Sequence, residues 1–402
     1  MRKSAELRLW CAANNTAITL EQIALSEIPA PTGQEEARGK AVFDRFAAIG
    51  LDEVHIDDVG NVLGLLPGHD SSRILVLAAH LDTVFPAGTD VRVRRAADDR
   101  LIGPGINDNA AALGTLLAVA EGFQKLRLIP QVDVLFFAPV GEEGLGNLRG
   151  TRHLFDLYSR RNSICGFLTL DADIPGSLSA VAVGSRRYAI IIQGPGGHSY
   201  SDFGTPSALH AACRAVVLMV GDHATEVQGG TINIGIFGSS DGSRPAGTSI
   251  NTICAEARFE VDLRSTEEAT LDDLNERLQW ALSQALAAER LWAVSDTKEI
   301  EVTVESLGYR PGGAMSSDHP LFQTALSACH QLGLSVSYDP ASTDANIPLS
   351  LGIPALVLWR GGTGGGTHTL QEWHDPSGRQ MLVEVIAEIL LREIWADAVL
   401  AT

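Results

Sequence analysis

The sequence predicts an α/β protein: a mixed, largely parallel sheet flanked by helices, with a second domain of ferredoxin-like βαββαβ order inserted in it. Three observations predict this. Apolar, strand-like runs alternate with helical stretches from Leu51 to Val183; that order is then replaced by β-α-β-β-α-β; and the first pattern returns near Asp318. At 402 residues the chain also exceeds what one hydrophobic core usually organises.

In the first segment "ILVLAAH", "VDVLFFAPV" and "GFLTLDAD" are continuous apolar runs, the pattern of strands buried on both faces. Between the first two, "NAAALGTLLAVAEGFQKL" has helical composition and length, which completes a parallel strand–helix–strand unit. The middle segment reads "YAIIIQG" strand, "TPSALHAACRAVVLMVG" helix, "TINIGIFG" and "ICAEARFEVDLRS" strands, "LDDLNERLQWALSQALAAERL" helix and "EIEVTVES" strand. A Gly/Pro-rich return linker, "GYRPGGAMSSDHP", leads to the helix "HPLFQTALSACHQLG", the short strand "PALVLWR" and a last amphipathic helix. The expected boundaries are 1–185 and 311–402 for the host domain and 186–310 for the insert.

Composition narrows the function classes. A formal net charge of −19 argues against a nucleic-acid partner, which needs clustered Lys and Arg. No apolar run reaches the length of a membrane helix. The opening "MRKSAELRLWCAANN" has a basic start without the apolar stretch of a signal peptide, so the expected location is cytoplasmic. Cys11, Cys165, Cys213, Cys254 and Cys329 are scattered with no C-x-x-C pair, and free thiols are expected.

In open α/β sheets ligands bind beyond the carboxyl ends of the strands. The chemistry-bearing residues fall there. The first strand delivers His80 and Asp82 in "AAHLDTVFP", the second Glu142 and Glu143 in "GEEGLGN", and the third Asp171 and Asp173. Asp108 sits in "GPGINDNAA" just before a helix, and His368 follows a glycine-rich loop in "RGGTGGGTHTLQEW". Imidazole and carboxylate together suit a divalent metal: zinc, and also cobalt or manganese. Glu142 and Glu143 alone would also fit a solvated loop; beside the other clusters, one can bind metal while its neighbour faces a water.

The motifs "HLDTV", "GINDNAA", "GEEG", "GPGGHS", "EVDLRS" and "GGTHTLQEW" together resemble the co-catalytic metallopeptidase family of glutamate carboxypeptidase, acetylornithine deacetylase, succinyl-diaminopimelate desuccinylase and peptidase T. The resemblance covers nearly the whole chain, and "STDANIPLSLGIPAL" looks most like peptidase T. It implies hydrolysis of an amide bond in small peptides, with N-acyl-amino-acid deacylation as the alternative and a non-catalytic binding relative as a remote one. It further implies two divalent ions, zinc first, with His80 and Asp171 on one, Glu143 and His368 on the other, and Asp108 bridging. Glu142 would be the general base, and Asp82 would orient His80. Asp173 competes with Asp171 for the ligand role, and Asn109 follows Asp108 where the family often has Asp or Met. The insert would act as a lid and dimerisation domain of a homodimer, with His198 serving the neighbouring subunit's site. Arg264 would hold a substrate carboxylate, joined by Asn251.

Rival motifs lack context. "GSSDG" matches the G-x-S-x-G pattern of serine hydrolases, but no helix follows Ser240 as a nucleophile elbow requires. "GPGIND", "GLGNLRG" and "GGTGGGT" do not give a G-x-G-x-x-G between strand and helix.

Overall fold

The computed structural model describes residues 2–221, 229–238, 246–296 and 299–393. The chain divides into two compact units, Met1–Ala182 with Gly313–Thr402, and Val183–Gly312.

The first unit is built on a seven-stranded sheet. Its centre is four parallel strands in the order Val132–Ala138, Asp70–Ala78, Ile164–Ala172 and Ala355–Trp359. The antiparallel hairpin Asp52–Ile56/Val62–Leu66 extends one edge, and the short strand Leu178–Ser179 closes the other. Alternate residues of one strand feed cores on opposite faces: Leu75 and Leu77 join one cluster, Ile74 and Val76 the other. This is why the runs are apolar throughout rather than alternating.

Helices Lys3–Ser26, Ala110–Leu126 and Arg379–Leu391 cover one face, contributing Leu7, Cys11, Leu113, Leu116, Val385 and Ile386 to its core. Helix Pro320–Gln331 begins with proline at its first turn, where no amide donor is needed, and the His319 imidazole caps it by accepting the Leu321 N–H. The intervening "GYRPGGAMSSDHP" is not all loop. Its first residues finish the strand Glu301–Arg310, and Gly313–Ala314 pairs with Val181–Ala182.

The second unit is a four-stranded antiparallel sheet with helices Ala208–Val220 and Glu268–Trp292. Gly184–Gln193 pairs with both Glu256–Ser265 and Glu301–Arg310, and Gly230–Gly238 lies outside Glu256–Ser265. That strand order, with the βαββαβ chain order, is the ferredoxin-like arrangement. Ile190, Phe259, Val261, Leu274 and Leu278 form its core. Ser240 lies outside the described residues. Among the described residues no helix is long and apolar enough to cross a membrane.

Candidate active site

Because the four central strands are parallel, their carboxyl ends share one edge, and each delivers a polar group there. After Ala78 the chain continues beside its neighbour, with Ala79 N donating to Phe137 O and Leu81 N to Pro139 O, and this places His80 and Asp82. Buried Arg38 clasps the same turn by donating to Leu81 O at 2.8 Å. Glu142 and Glu143 follow Val132–Ala138, Asp171 is near the end of Ile164–Ala172, and Arg360 follows Ala355–Trp359.

His80, Asp108, Glu143, Asp171 and His368 come together. His80 Nε2 is 3.1 Å from Asp108 Oδ1 and 3.6 Å from Asp171 Oδ1. His368 Nε2 is 3.0 Å from Glu143 Oε1 and 3.4 Å from Asp108 Oδ2. Asp108 therefore turns one oxygen to each histidine. Among the described residues, two groups could each hold a metal ion, their donor atoms all within 4.8 Å: His80, Asp108 and Glu143, and His80, Glu142 and Asp171. Glu142 thus lies as close to the cluster as the expected ligand residues do.

The donor set fits divalent ions. His80 Nε2 and Asp108 Oδ1 are buried and lie 3.1 Å apart, yet without hydrogen-bond geometry to each other or to any other group. Such atoms are costly unless something binds them. Nitrogen and carboxylate oxygen together are the ligands of zinc, cobalt and manganese.

The electrostatics are those of a compact charged cluster. Burial alone would push the His80 imidazole down, but contacts to Asp108, Asp171 and Asp82 outweigh it and hold it well above its usual range. Burial opposes the charge of Asp108 too, yet Arg360 and the two histidines keep that carboxyl well below the ordinary carboxylate range. Contact with Asp108 and Glu143 lifts His368 to about 10. Glu143 is raised, chiefly by burial.

Asp82 is wholly buried and serves several neighbours at once. Its Oδ1 accepts the Glu142 N–H at 3.0 Å, and its Oδ2 accepts the Glu143 N–H at 2.9 Å and the Thr32 hydroxyl at 2.8 Å. Its backbone carbonyl lies 3.1 Å from His80 Nδ1. Asp171 and Asp173 are separated by their partners. Asp173 is engaged by Asn107 Nδ2 at 2.7 Å, by the Thr367 hydroxyl and by Arg360 Nη1, whereas Asp171 is the one beside His80. Asn109 donates to Leu170 O at 3.1 Å.

His368 has a backbone φ of 66°, a left-handed conformation rare for a side-chain-bearing residue and typical of sites held by their surroundings. The glycines before it are present for close packing as well as turning: a Cβ on Gly364 would sit 2.1 Å from Asn107 Oδ1. Glu372, in the "LQEW" tail, clasps the loop that carries Asp108 by accepting both the Asn107 and Asp108 N–H groups at 2.8 Å. Burial, with Asp108 nearby, pushes its carboxyl up to about 7.

Arg360 and Glu372 were not singled out by the sequence reading. Arg360 had one sequence signal, a lone basic residue ending an apolar strand opposite an acidic cluster. Glu372 had none, because its function is to hold backbone. Asp344 belongs with them: it is buried, accepts the Thr151 hydroxyl at 2.6 Å, and is pushed up to about 7 by burial.

The remaining expected residues belong to the second unit. His198 is exposed, pairs with Thr252 across a two-residue ribbon, and its Nδ1 faces the Tyr200 and Ser201 N–H groups at 3.3 and 3.4 Å. Asn251 is adjacent, its carbonyl accepting the Ser199 N–H at 2.9 Å. Arg264 Nε binds Asp262 at 2.8 Å near the far end of the strand Glu256–Ser265. The His198–Asn251 turn lies off the Glu256 end, and eight residues of extended chain separate Glu256 from Arg264, about 26 Å at 3.3 Å per residue. Within one chain, Asn251 therefore accompanies His198 and cannot join Arg264 on one carboxylate. The resemblance implies that pairing; strand register sets the two residues apart in one chain.

Comparison with known proteins places the fold among solved structures. A tripeptidase from Staphylococcus aureus superposes with a TM-score of 0.76 at 22% identity, over 93% of this chain and 96% of that one. A dinuclear metal binding peptidase from Bacillus subtilis gives 0.69 at 16% identity, over 94% and 98%. Allantoate amidohydrolase of Escherichia coli is 23% identical over 87% of this chain and 89% of its own length. Two further relatives, one from Thermococcus kodakarensis and a succinyl-diaminopimelate desuccinylase from Shewanella loihica, are matched over only 33% and 52% of their lengths. The model of peptidase family M20/M25/M40 matches residues 76–392, most of the chain and every strand-end cluster of the site, and the chain belongs to that family of hydrolases.

Proposed function

We propose that the chain is a dinuclear metal-dependent exopeptidase cleaving an amide bond in small peptides. One observation carries this reading: a cluster in which Asp108 turns an oxygen to each of two histidines, while buried His80 Nε2 and Asp108 Oδ1 face one another without hydrogen-bond geometry. His80, Asp171 and Asp108 would hold one ion, and His368, Glu143 and Asp108 the other. Zinc is the proposed metal, with cobalt or manganese as substitutes. When bound, such ions supply Lewis-acid polarisation of the scissile carbonyl and a water of lowered pKa.

Glu142 takes the attacking water's proton and returns it to the leaving nitrogen. Asp82 holds the backbone of both glutamates, so the base and the neighbouring ligand keep fixed places. With Nδ1 of His198 facing two backbone N–H donors, the proton of the neutral ring resides on Nε2, which can donate to the developing oxyanion. Arg264, with Nε engaged by Asp262, grips a substrate carboxylate through its Nη groups. The separation of the His198–Asn251 turn from Arg264 by the length of the strand Glu256–Ser265 supports a homodimer in which His198 and Asn251 serve the partner's site.

Deacylation of N-acyl amino acids is the second reading, favoured by the 29% identity to a succinyl-diaminopimelate desuccinylase over 47% of this chain. A panel of di- and tripeptides against N-acetyl and N-succinyl amino acids, assayed with zinc, cobalt and manganese in turn, separates the two. Preferential peptide hydrolysis is expected. Preferential deacylation would replace the first reading with the second, and no amide hydrolysis with any of the three metals would overturn both.

A further inference from the structure

Among the described residues, Arg360 is a buried cation that faces the acidic cluster directly without being a proposed ligand. It is 5% exposed, and its place is fixed at both ends of its backbone: its N–H donates to Ala172 O at 2.9 Å, and its carbonyl accepts the Thr115 hydroxyl at 2.9 Å. Its guanidinium spans three carboxylates. Nη2 lies 2.9 Å from Asp108 Oδ2 and 2.6 Å from Asp171 Oδ1, and Nη1 binds Asp173. The first two oxygens are the ones that face His368 and His80.

We propose that Arg360 is a resident counter-cation that shares Asp108 and Asp171 with the metal ions, keeping the metal-free site assembled and making its metals exchangeable. The inference rests on the metal-site reading above. Three carboxylates at one sheet edge, those of Asp108 and Asp171 largely buried, repel one another, and a guanidinium ion-paired with all three offsets that repulsion before any ion arrives. Once ions arrive, the same group works against them. An oxygen that already accepts a guanidinium N–H has less lone-pair density to give, and a fixed positive charge repels a divalent ion strongly in a site with little water. Arg360 (+1) and Asp173 (−1) cancel one another, so together they leave the net charge of the proposed ligand set as it is. What Arg360 alters is the difference between the empty and filled states.

The test uses the full chain as wild type, Arg360→Met and Arg360→Lys, each stripped of metal. Zinc affinity is read by competition with a chromophoric chelator, and melting temperature is measured metal-free and zinc-saturated. Arg360→Met should bind zinc about tenfold or more tightly than wild type, within the range by which groups bonded to metal ligands tune affinity. Its metal-free melting temperature should fall further than its zinc-saturated one, while Arg360→Lys, which keeps the charge, stays near wild type. Recovery of folded Arg360→Met only when zinc is present would also support the proposal. Unchanged or weaker zinc binding by Arg360→Met would overturn it, the latter assigning Arg360 to ligand orientation. A wild-type chain that takes up no divalent ion would overturn the functional reading itself, and this inference with it.

Discussion

Replacing Asp82 with asparagine changes almost no volume, and it should still disable the site. The carboxylate is 0% exposed and accepts three hydrogen bonds, from the backbone of Glu142 and Glu143 and from the Thr32 hydroxyl. An asparagine amide group must occupy one of the two oxygen positions. There its NH2 meets a backbone N–H, donor against donor, whichever way the side chain is turned. A buried donor left unpaired costs about 1–3 kcal/mol, and bonds to a charged acceptor are worth about 1.5–3 kcal/mol each. The metal-free protein should lose about 2–4 kcal/mol in urea denaturation. Thr32→Val removes a single donor from the same carboxylate and should cost only about 1 kcal/mol. Because Asp82 also adjoins His80, zinc affinity should fall about 10–100-fold in Asp82→Asn and much less in Thr32→Val. If Asp82→Asn were within 0.5 kcal/mol of wild type (roughly the size of a neutral surface change) with unchanged zinc affinity, or if Thr32→Val were the more damaging, the holding function assigned to Asp82 would be wrong.

The two adjacent glutamates should separate by role: Glu142→Gln keeps metal content but loses about 10²–10⁴-fold in rate, whereas Glu143→Gln chiefly loses metal, as read by elemental analysis beside steady-state kinetics. The reverse pattern would exchange their assignments. Mixed dimers of His198→Ala and Glu142→Gln chains, isolated with two affinity tags, should regain about half of wild-type activity per dimer, since one of two sites is intact; mixed dimers as inactive as their parents would return His198 to a same-chain or structural role. At pH 8 the native protein should expose one fast-reacting thiol, Cys213. Burial pushes Cys11 up to about 11 and Cys165 and Cys329 up to about 12, so they stay protonated and unreactive, and Cys254 is buried. Cys213→Ser should abolish the fast phase of a thiol-reagent titration, and a fast phase surviving that change would contradict the assignment.

What the sequence shows well is whatever a single element encodes by itself. A run such as "VDVLFFAPV" has no polar face, which is enough to bury it on both sides of a sheet, and its parallel neighbours then bring His80, Glu143 and Asp171 to one edge. Helix Lys3–Ser26 was hidden for the opposite reason. Its buried side mixes Leu7, Cys11 and Ile18 with Ser4, Thr19, Gln22 and Ser26, so no clean apolar stripe appears. Gln22 is buried because it donates to Ile106 O and accepts from Arg379, partners 84 and 357 residues away that no local pattern encodes. Arg360 and Glu372 are the same case within the site, their importance arising only when distant strands and loops converge. Register was the other missing quantity. It places Arg264 beside Ser185, far along the strand from Glu256 and the neighbouring His198–Asn251 turn, which spacing could not reveal.

Metal stoichiometry in three proteins tests the account most directly. Wild type, His80→Ala and His368→Ala are each stripped with chelator, reloaded with excess zinc, desalted and analysed for zinc per chain, with peptide hydrolysis measured on the same samples. Two ions per wild-type chain are expected, falling to about one in each single variant as one histidine leaves each centre, with hydrolysis abolished by stripping and restored by zinc in wild type alone. Full hydrolysis by a verified metal-free wild-type chain, or unchanged zinc content in both variants, would contradict the claim that these residues form a dinuclear hydrolytic site.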